Sequence, residues 1–95
     1  MAKYEMLVLL NSESEDAVKE ATVAKLENIV TSRGGSVVST DKWGTKKLAY
    51  PINFKKEAYY VLLTFEGDGK SICNELVRVS GIDAEVMRQT IIRIG

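Results

Sequence analysis

The sequence predicts an α+β fold of order βαββαβ, and three observations carry that prediction. Four stretches, at about 3–10, 36–50, 58–66 and 86–94, are rich in β-branched, aromatic and leucine side chains. Two stretches with helical apolar spacing separate the first strand from the second and the third from the fourth. Gly34-Gly35, Gly67-Asp68-Gly69 and Gly81 punctuate the pattern. With 95 residues, 45 % hydrophobic side chains and one proline, the chain is expected to form a single domain over 1–95 around one core.

Lys3-Tyr4-Glu5-Met6-Leu7-Val8-Leu9-Leu10 starts by alternating and ends as a continuous apolar run, the pattern of a central strand covered on both faces near its far end. Ser12 stands three residues before Glu15 in capping-box spacing, so a first helix is expected over about 13–33. Its apolar side would carry Val18, Leu26, Ile29 and Val30, with Lys19, Glu20, Lys25, Glu27 and Asn28 opposite, and Gly34-Gly35 would stop it. A second strand runs from about Ser36 through a kink at Gly44 toward Tyr50, and its length and lysines suit an edge. Residues 53–57 read as a connection, and Ala58 to Glu66 is the strongest β signal in the chain. Ile72, Cys73, Leu76, Val77 and Val79 predict a second helix over about 70–80, ended by Gly81, and Val86 to Ile94 closes the chain as a strand.

Two crossover helices in a chain too short for a doubly wound sheet give the split βαβ arrangement of the ferredoxin-like fold, with both helices on one face of a four-stranded sheet. The second and fourth strands would be the edges, and one sheet face would have no helix above it. That face is not polar in either register. In the first strand it would present Leu7 and Leu9 or Met6, Val8 and Leu10; in the third, Tyr60 and Leu62 or Tyr59, Val61, Leu63 and Phe65. Uncovered apolar surface of this kind marks an interaction site once it exceeds a few hundred Å².

Composition removes several function classes. There is no histidine and one cysteine, so the usual transition-metal sets, Ser-His and Cys-His nucleophile pairs and internal disulfides are absent. No enzyme activity, cofactor, metal or small-molecule substrate is expected. No run approaches a membrane span, and Lys3 and Glu5 interrupt the place of a signal peptide, so a cytoplasmic protein without membrane partners is expected. Thirteen basic residues balance thirteen acidic ones, which argues against a free-standing nucleic-acid binder unless a basic partner supplies charge.

The charge is locally uneven. Residues 42–56 hold five lysines, Trp43, Tyr50, Gly44 and the only proline, with no carboxylate. Paired lysines on a bent strand beside aromatics suit a phosphate backbone. The same lysines could instead solvate an edge strand and keep it from aggregating. Gly69-Lys70-Ser71 resembles the end of a phosphate-binding loop, but Thr64 stands where that motif requires its first glycine. Cys73 reads as a small core residue.

At Gly44-Thr45-Lys46-Lys47-Leu48-Ala49-Tyr50-Pro51-Ile52 the chain resembles the bacterial small-subunit ribosomal protein six family, whose signature is Gly-x-basic-basic-Leu-Ala-Tyr-Pro-Ile. Lys3-Tyr4-Glu5, Gly34, Tyr59-Tyr60 and the closing Ile-Ile-Arg fall at family-like spacings, so the resemblance covers essentially the whole chain. It implies a structural component of the bacterial small ribosomal subunit that pairs with ribosomal small-subunit protein eighteen and binds the central domain of small-subunit rRNA with it. That partner is basic, which would account for neutrality here. Lys3, Lys46, Lys47 and Arg88 are then the RNA-facing candidates, with lysines replacing arginines common at the basic pair and so point charges replacing bidentate forks. Leu7, Leu9, Tyr60 and Leu62 are the candidate anchors for the protein partner, on the expectation that they face away from the helices. Two other classes share size and fold. An acylphosphatase-like enzyme would need an arginine in a glycine-rich loop where this chain has Asn11-Ser12-Glu13, and a small-ligand regulatory domain would not predict the basic pair.

Overall fold

In the computed structural model, which describes residues 2–52 and 55–95, the elements follow the expected order: β1 (Ala2–Leu10), α1 (Asp16–Ser32), β2 (Ser36–Ile52), β3 (Lys55–Gly67), α2 (Gly69–Ile82) and β4 (Val86–Arg93). The strands form one sheet in the order β2-β3-β1-β4, each neighbouring pair antiparallel, so β2 and β4 are the edges as the crossover argument requires. This is the ferredoxin-like arrangement. Among the described residues no helix is long and apolar enough to cross a membrane.

The sheet register decides which alternate set faces the helices. Met6, Val8 and Leu10 of β1 pair with Leu63, Val61 and Tyr59 of β3, and these join Phe65 in a core cluster with Val23, Leu26 and Val30 of α1 and Ile72 and Leu76 of α2. Leu7 and Leu9 pair with Leu62 and Tyr60 and therefore lie on the opposite, helix-free face.

α1 differs from the expectation at its start and in its phase. It begins at Asp16, three residues later than expected, with Glu15 at the cap position and no side-chain cap. Ser12 does not cap it. Instead Asn11 Oδ1 accepts from the Glu13 amide at 3.1 Å, a local turn that delays the helix, and Ser14 Oγ donates to Glu85. Lys19, expected outside, is 8 % exposed, and Val18, expected inside, is 39 % exposed. The buried set Lys19, Thr22, Val23, Leu26 and Val30 has helical spacing, and position 19 falls over β3. The lysine stem tolerates burial because its Nζ reaches the Tyr59 ring at 4.7 Å and Asp16 at 3.8 Å.

The expected glycine stop holds in detail. Gly34 adopts φ +81°, its amide donates to Thr31 at 3.2 Å, and the Gly35 amide donates to Val30 at 2.9 Å, the paired bonds of a Schellman ending. The stop expected at Gly81 does not, since α2 runs two residues beyond the expected end, through Gly81 to Ile82. An isolated glycine weakens a helix without ending it. β3 begins at Lys55, so part of the expected 53–57 connection is strand, and residues 53–54 of that stretch lie outside the described residues.

Candidate partner and nucleic-acid interface

On the helix-free face, two adjacent rows of cross-strand neighbours hold the candidate anchors. Leu7 stands beside Leu62 on β3 and Thr90 on β4, and Leu9 stands beside Tyr60 and Arg88, so the four candidate anchors form two adjacent pairs. Asp41 of β2 pairs with Leu62 and Gly44 with Tyr60, which extends both rows to the other edge. Leu7, Leu62 and Tyr60 are half-buried, whereas Leu9 is only 7 % exposed although no helix covers it.

β2 leaves regular pairing three times, between Val37 and Ser39, Lys42 and Gly44, and Lys47 and Ile52, and the last two irregularities supply the cover. Lys42 pairs with Val61 and Gly44 with Tyr60, so Trp43 is an extra residue, and Gly44 meets the bulge with φ +87°. The bulge turns Trp43 onto the helix-free face, where its ring lies 6.3 Å from that of Tyr60 at 15°. Farther along, Lys47 pairs with Glu57 and Ile52 with Lys55, leaving residues 48–51 opposite Lys56 alone. Pro51, which has no amide proton to give a ladder, sits in this unpaired stretch. Freed from the ladder, Tyr50 crosses toward the far edge, and its Oη accepts a hydrogen bond from Arg88 Nη1 at 2.9 Å. The hydrogen bond from Arg88 to Tyr50 holds the guanidinium above its already high ordinary value. Three strand spacings of roughly 4.8 Å separate β2 from β4, so the contact arches over the β3 and β1 residues between.

The structure divides the basic window. Lys42 pairs with Glu20 at 3.9 Å and Lys55 with Glu13 at 2.8 Å, so both fasten the hairpin toward the helix side. Lys46 and Lys47 have no carboxylate within salt-bridge distance among the described residues, and they point to opposite sides because Lys46 pairs with Ala58 and Lys47 with Glu57 in unbroken register. Lys46 lies on the helix-free face with its Nζ 5.0 Å from the Trp43 ring centroid. Arg88 shares that face through its pairing with Leu9. Lys3 also lies there, but six residues from Leu9 along β1, roughly 20 Å away. The four candidates are thus not one cluster: Lys46 and Arg88 flank the Leu9-Tyr60 row, Lys3 marks the other end, and Lys47 turns away. Sequence reasoning treated Trp43 and Tyr50 only as neighbours of the lysines, although both are central to the geometry. The register slips that aim them arise from pairing with β3 and have no local sequence mark beyond Gly44 and Pro51.

Several charges away from this face are paired. Arg33 reaches Ser71 at 3.1 Å and Glu75 at 3.2 Å, Arg78 reaches Glu75 at 2.6 Å, and Lys25 meets Asp83, all on the helix side. Cys73 packs against the core, and burial raises its thiol above the usual value.

Comparison with known proteins gives the family. The family described as Ribosomal protein S6 matches residues 3–93. The chain belongs to the ribosomal protein S6 family. It is 38 % identical over 88 residues to small ribosomal subunit protein bS6 of Desulfitobacterium hafniense, covering 93 % of this chain and 92 % of that one. It is 38 % identical over 93 residues to bS6 of Fusobacterium nucleatum, covering 98 % of each. The crystal structure of 30S ribosomal protein S6 from Thermotoga maritima superposes with a TM-score of 0.92 over 98 % of this chain and 87 % of that one, and at 23 % identity it shows the shared fold. The chain is accordingly a structural, non-enzymatic component of the small subunit of the cytoplasmic ribosome, as the signature around Lys46 and Lys47 led us to expect.

Proposed function

We propose that this chain, acting as one domain over 1–95, pairs one-to-one with ribosomal small-subunit protein eighteen and binds the central domain of small-subunit rRNA as part of that pair. The observation that carries the reading is an apolar strip, Leu7-Leu62 and Leu9-Tyr60, on a sheet face without helices, flanked by cations with no acid partner among the described residues. In this reading Leu7, Leu9, Tyr60 and Leu62 anchor the protein partner, since buried aromatic and aliphatic residues carry most interface energy. Lys46 and Arg88 meet RNA beside them, and Lys3 and Lys47 add charge farther out. The neutral chain gains its RNA affinity from a basic partner, because counterion release scales with the phosphates neutralised.

Mixing with purified protein eighteen tests the pairing. A one-to-one complex by light scattering is expected, and Leu62→Asp should abolish it while the circular dichroism of a folded domain persists. Unchanged pairing of that variant would move the partner to another surface. The isolated chain should bind the rRNA fragment weakly, and nanomolar binding in physiological salt would overturn the shared mode.

A further inference from the structure

Two aromatic side chains of β2 are placed against the logic of the core. Trp43 is 44 % exposed and Tyr50 60 % exposed, and neither belongs to the buried cluster. Each holds a cation of the helix-free face: Trp43 lies under the Lys46 ammonium at 5.0 Å, and Tyr50 accepts from Arg88 at 2.9 Å. We propose that Trp43 and Tyr50 are positioning residues that pre-arrange Lys46 and Arg88 to receive a nucleic-acid phosphate backbone. The inference rests on the reading above that these cations meet RNA, and adds which groups prepare them and how.

The physical case has three parts. A long basic side chain loses rotamer freedom when it grips a ligand, and a contact that orders it beforehand removes part of that cost. The ordering contacts leave the charge available. The Tyr50 oxygen takes one of the five guanidinium N–H donors, and a ring face attracts the ammonium without consuming its hydrogen bonds. Carboxylate partners would order these cations equally well but would cancel the field a phosphate needs, and this face uses neutral aromatics where the helix side uses Glu20, Glu13, Asp83 and Glu75. The backbone is also bent at some expense to achieve this, through the bulge at Trp43-Gly44 and the unpaired stretch 48–51.

The test titrates the central-domain rRNA fragment into the complex with protein eighteen at several salt concentrations. Tyr50→Phe keeps the ring and the net charge and removes only the acceptor. Affinity is expected to fall about three- to tenfold, while the slope of log affinity against log salt stays unchanged because the same phosphates are neutralised. Arg88→Ala should flatten the slope, and in that background Tyr50→Phe should have no further effect. Trp43→Leu and Lys46→Ala should behave as the corresponding pair. In the free protein, nuclear magnetic relaxation of the Arg88 Nε–H should change from ordered to mobile on Tyr50→Phe. If Arg88→Ala weakens binding and Tyr50→Phe does not, the positioning role is overturned and the RNA-facing reading stands. If Arg88→Ala and Lys46→Ala change neither affinity nor slope, the RNA-facing reading itself falls. A loss that merely tracks weaker pairing with protein eighteen also overturns the positioning role.

Discussion

The two faces of the sheet begin from similar material and end as different surfaces. Toward the helices β1 and β3 present Met6, Val8, Leu10, Val61, Leu63 and Phe65, all essentially inaccessible. Away from the helices the same strands present Leu7, Leu9, Tyr60 and Leu62, of which only Leu9 is buried. Side-chain chemistry alone does not separate them. What separates them is the cover: two helices closing on one face, and on the other a distorted edge strand reaching across by a tyrosine hydroxyl. The first cover is bulk apolar packing; the second is one hydrogen bond and an aromatic pair, which leaves room for a partner.

Truncating the cores of the two faces should break the symmetry most visibly. Phe65→Ala removes a fully buried ring and should lower the unfolding free energy by about 3–5 kcal/mol, whereas Leu62→Ala, half-buried on the other face, should cost about 1 kcal/mol. Denaturant midpoints measured side by side check this, and equal losses would mean that both faces are core.

The lysine pair sharpens the comparison at the helix-free edge. Lys46→Ala and Lys47→Ala should each leave stability within about 0.5 kcal/mol, since neither makes an ion pair among the described residues. In rRNA titrations of the assembled pair, Lys46→Ala should flatten the salt slope by about 0.7–0.9, and Lys47→Ala, pointing to the other side, should change it less. If both lysines serve only to solvate the edge, neither slope moves and the double variant aggregates.

The smallest effect concerns acid. Hydrogen bonds from Lys25 and from the Glu85 amide hold the Asp83 carboxyl below the usual carboxylate range, and Arg78, with Arg33 behind it, does the same for Glu75. A depressed folded value means that the stabilisation is complete above the ordinary carboxylate range and fades as pH falls through the lowered values. Both links join helix-side elements, so stability should decline modestly below about pH 4, with Lys25→Met removing part of the dependence. These pairs are largely surface ones, and their contribution is correspondingly small. Melting curves at stepped pH provide the check.

Much of this was legible in residue order. Gly34-Gly35 predicted a helix stop because only glycine takes the left-handed turn there freely, and the structure returns both Schellman bonds. Crossover length predicted the edges, and the signature from Gly44 to Ile52 predicted the family. Lys19 was misplaced because a charged residue reads as exposed, while its ammonium settles over the Tyr59 ring once β3 lies beneath it. Ser12 was misread as a cap because Asn11 offers the backbone a competing turn that spacing does not reveal.

Local pattern was sufficient for element type, strand order, the neutral charge balance and the basic signature, since each depends on periodicity, chain length or residue count. It left open which alternate set of β1 and β3 faced the helices, because both sets are apolar and a shift of one residue exchanges them. Pairing with β3 and packing of α1 and α2 made that choice. The same holds for the site. Lysines, tryptophan and tyrosine are visible in the chain, but Arg88 is 38 residues beyond Tyr50, and only the register slips of β2 and the antiparallel placement of β4 bring them into contact. A contact of that range is set by the closure of the sheet, where the free energy of many paired strands fixes positions that no neighbouring residue encodes.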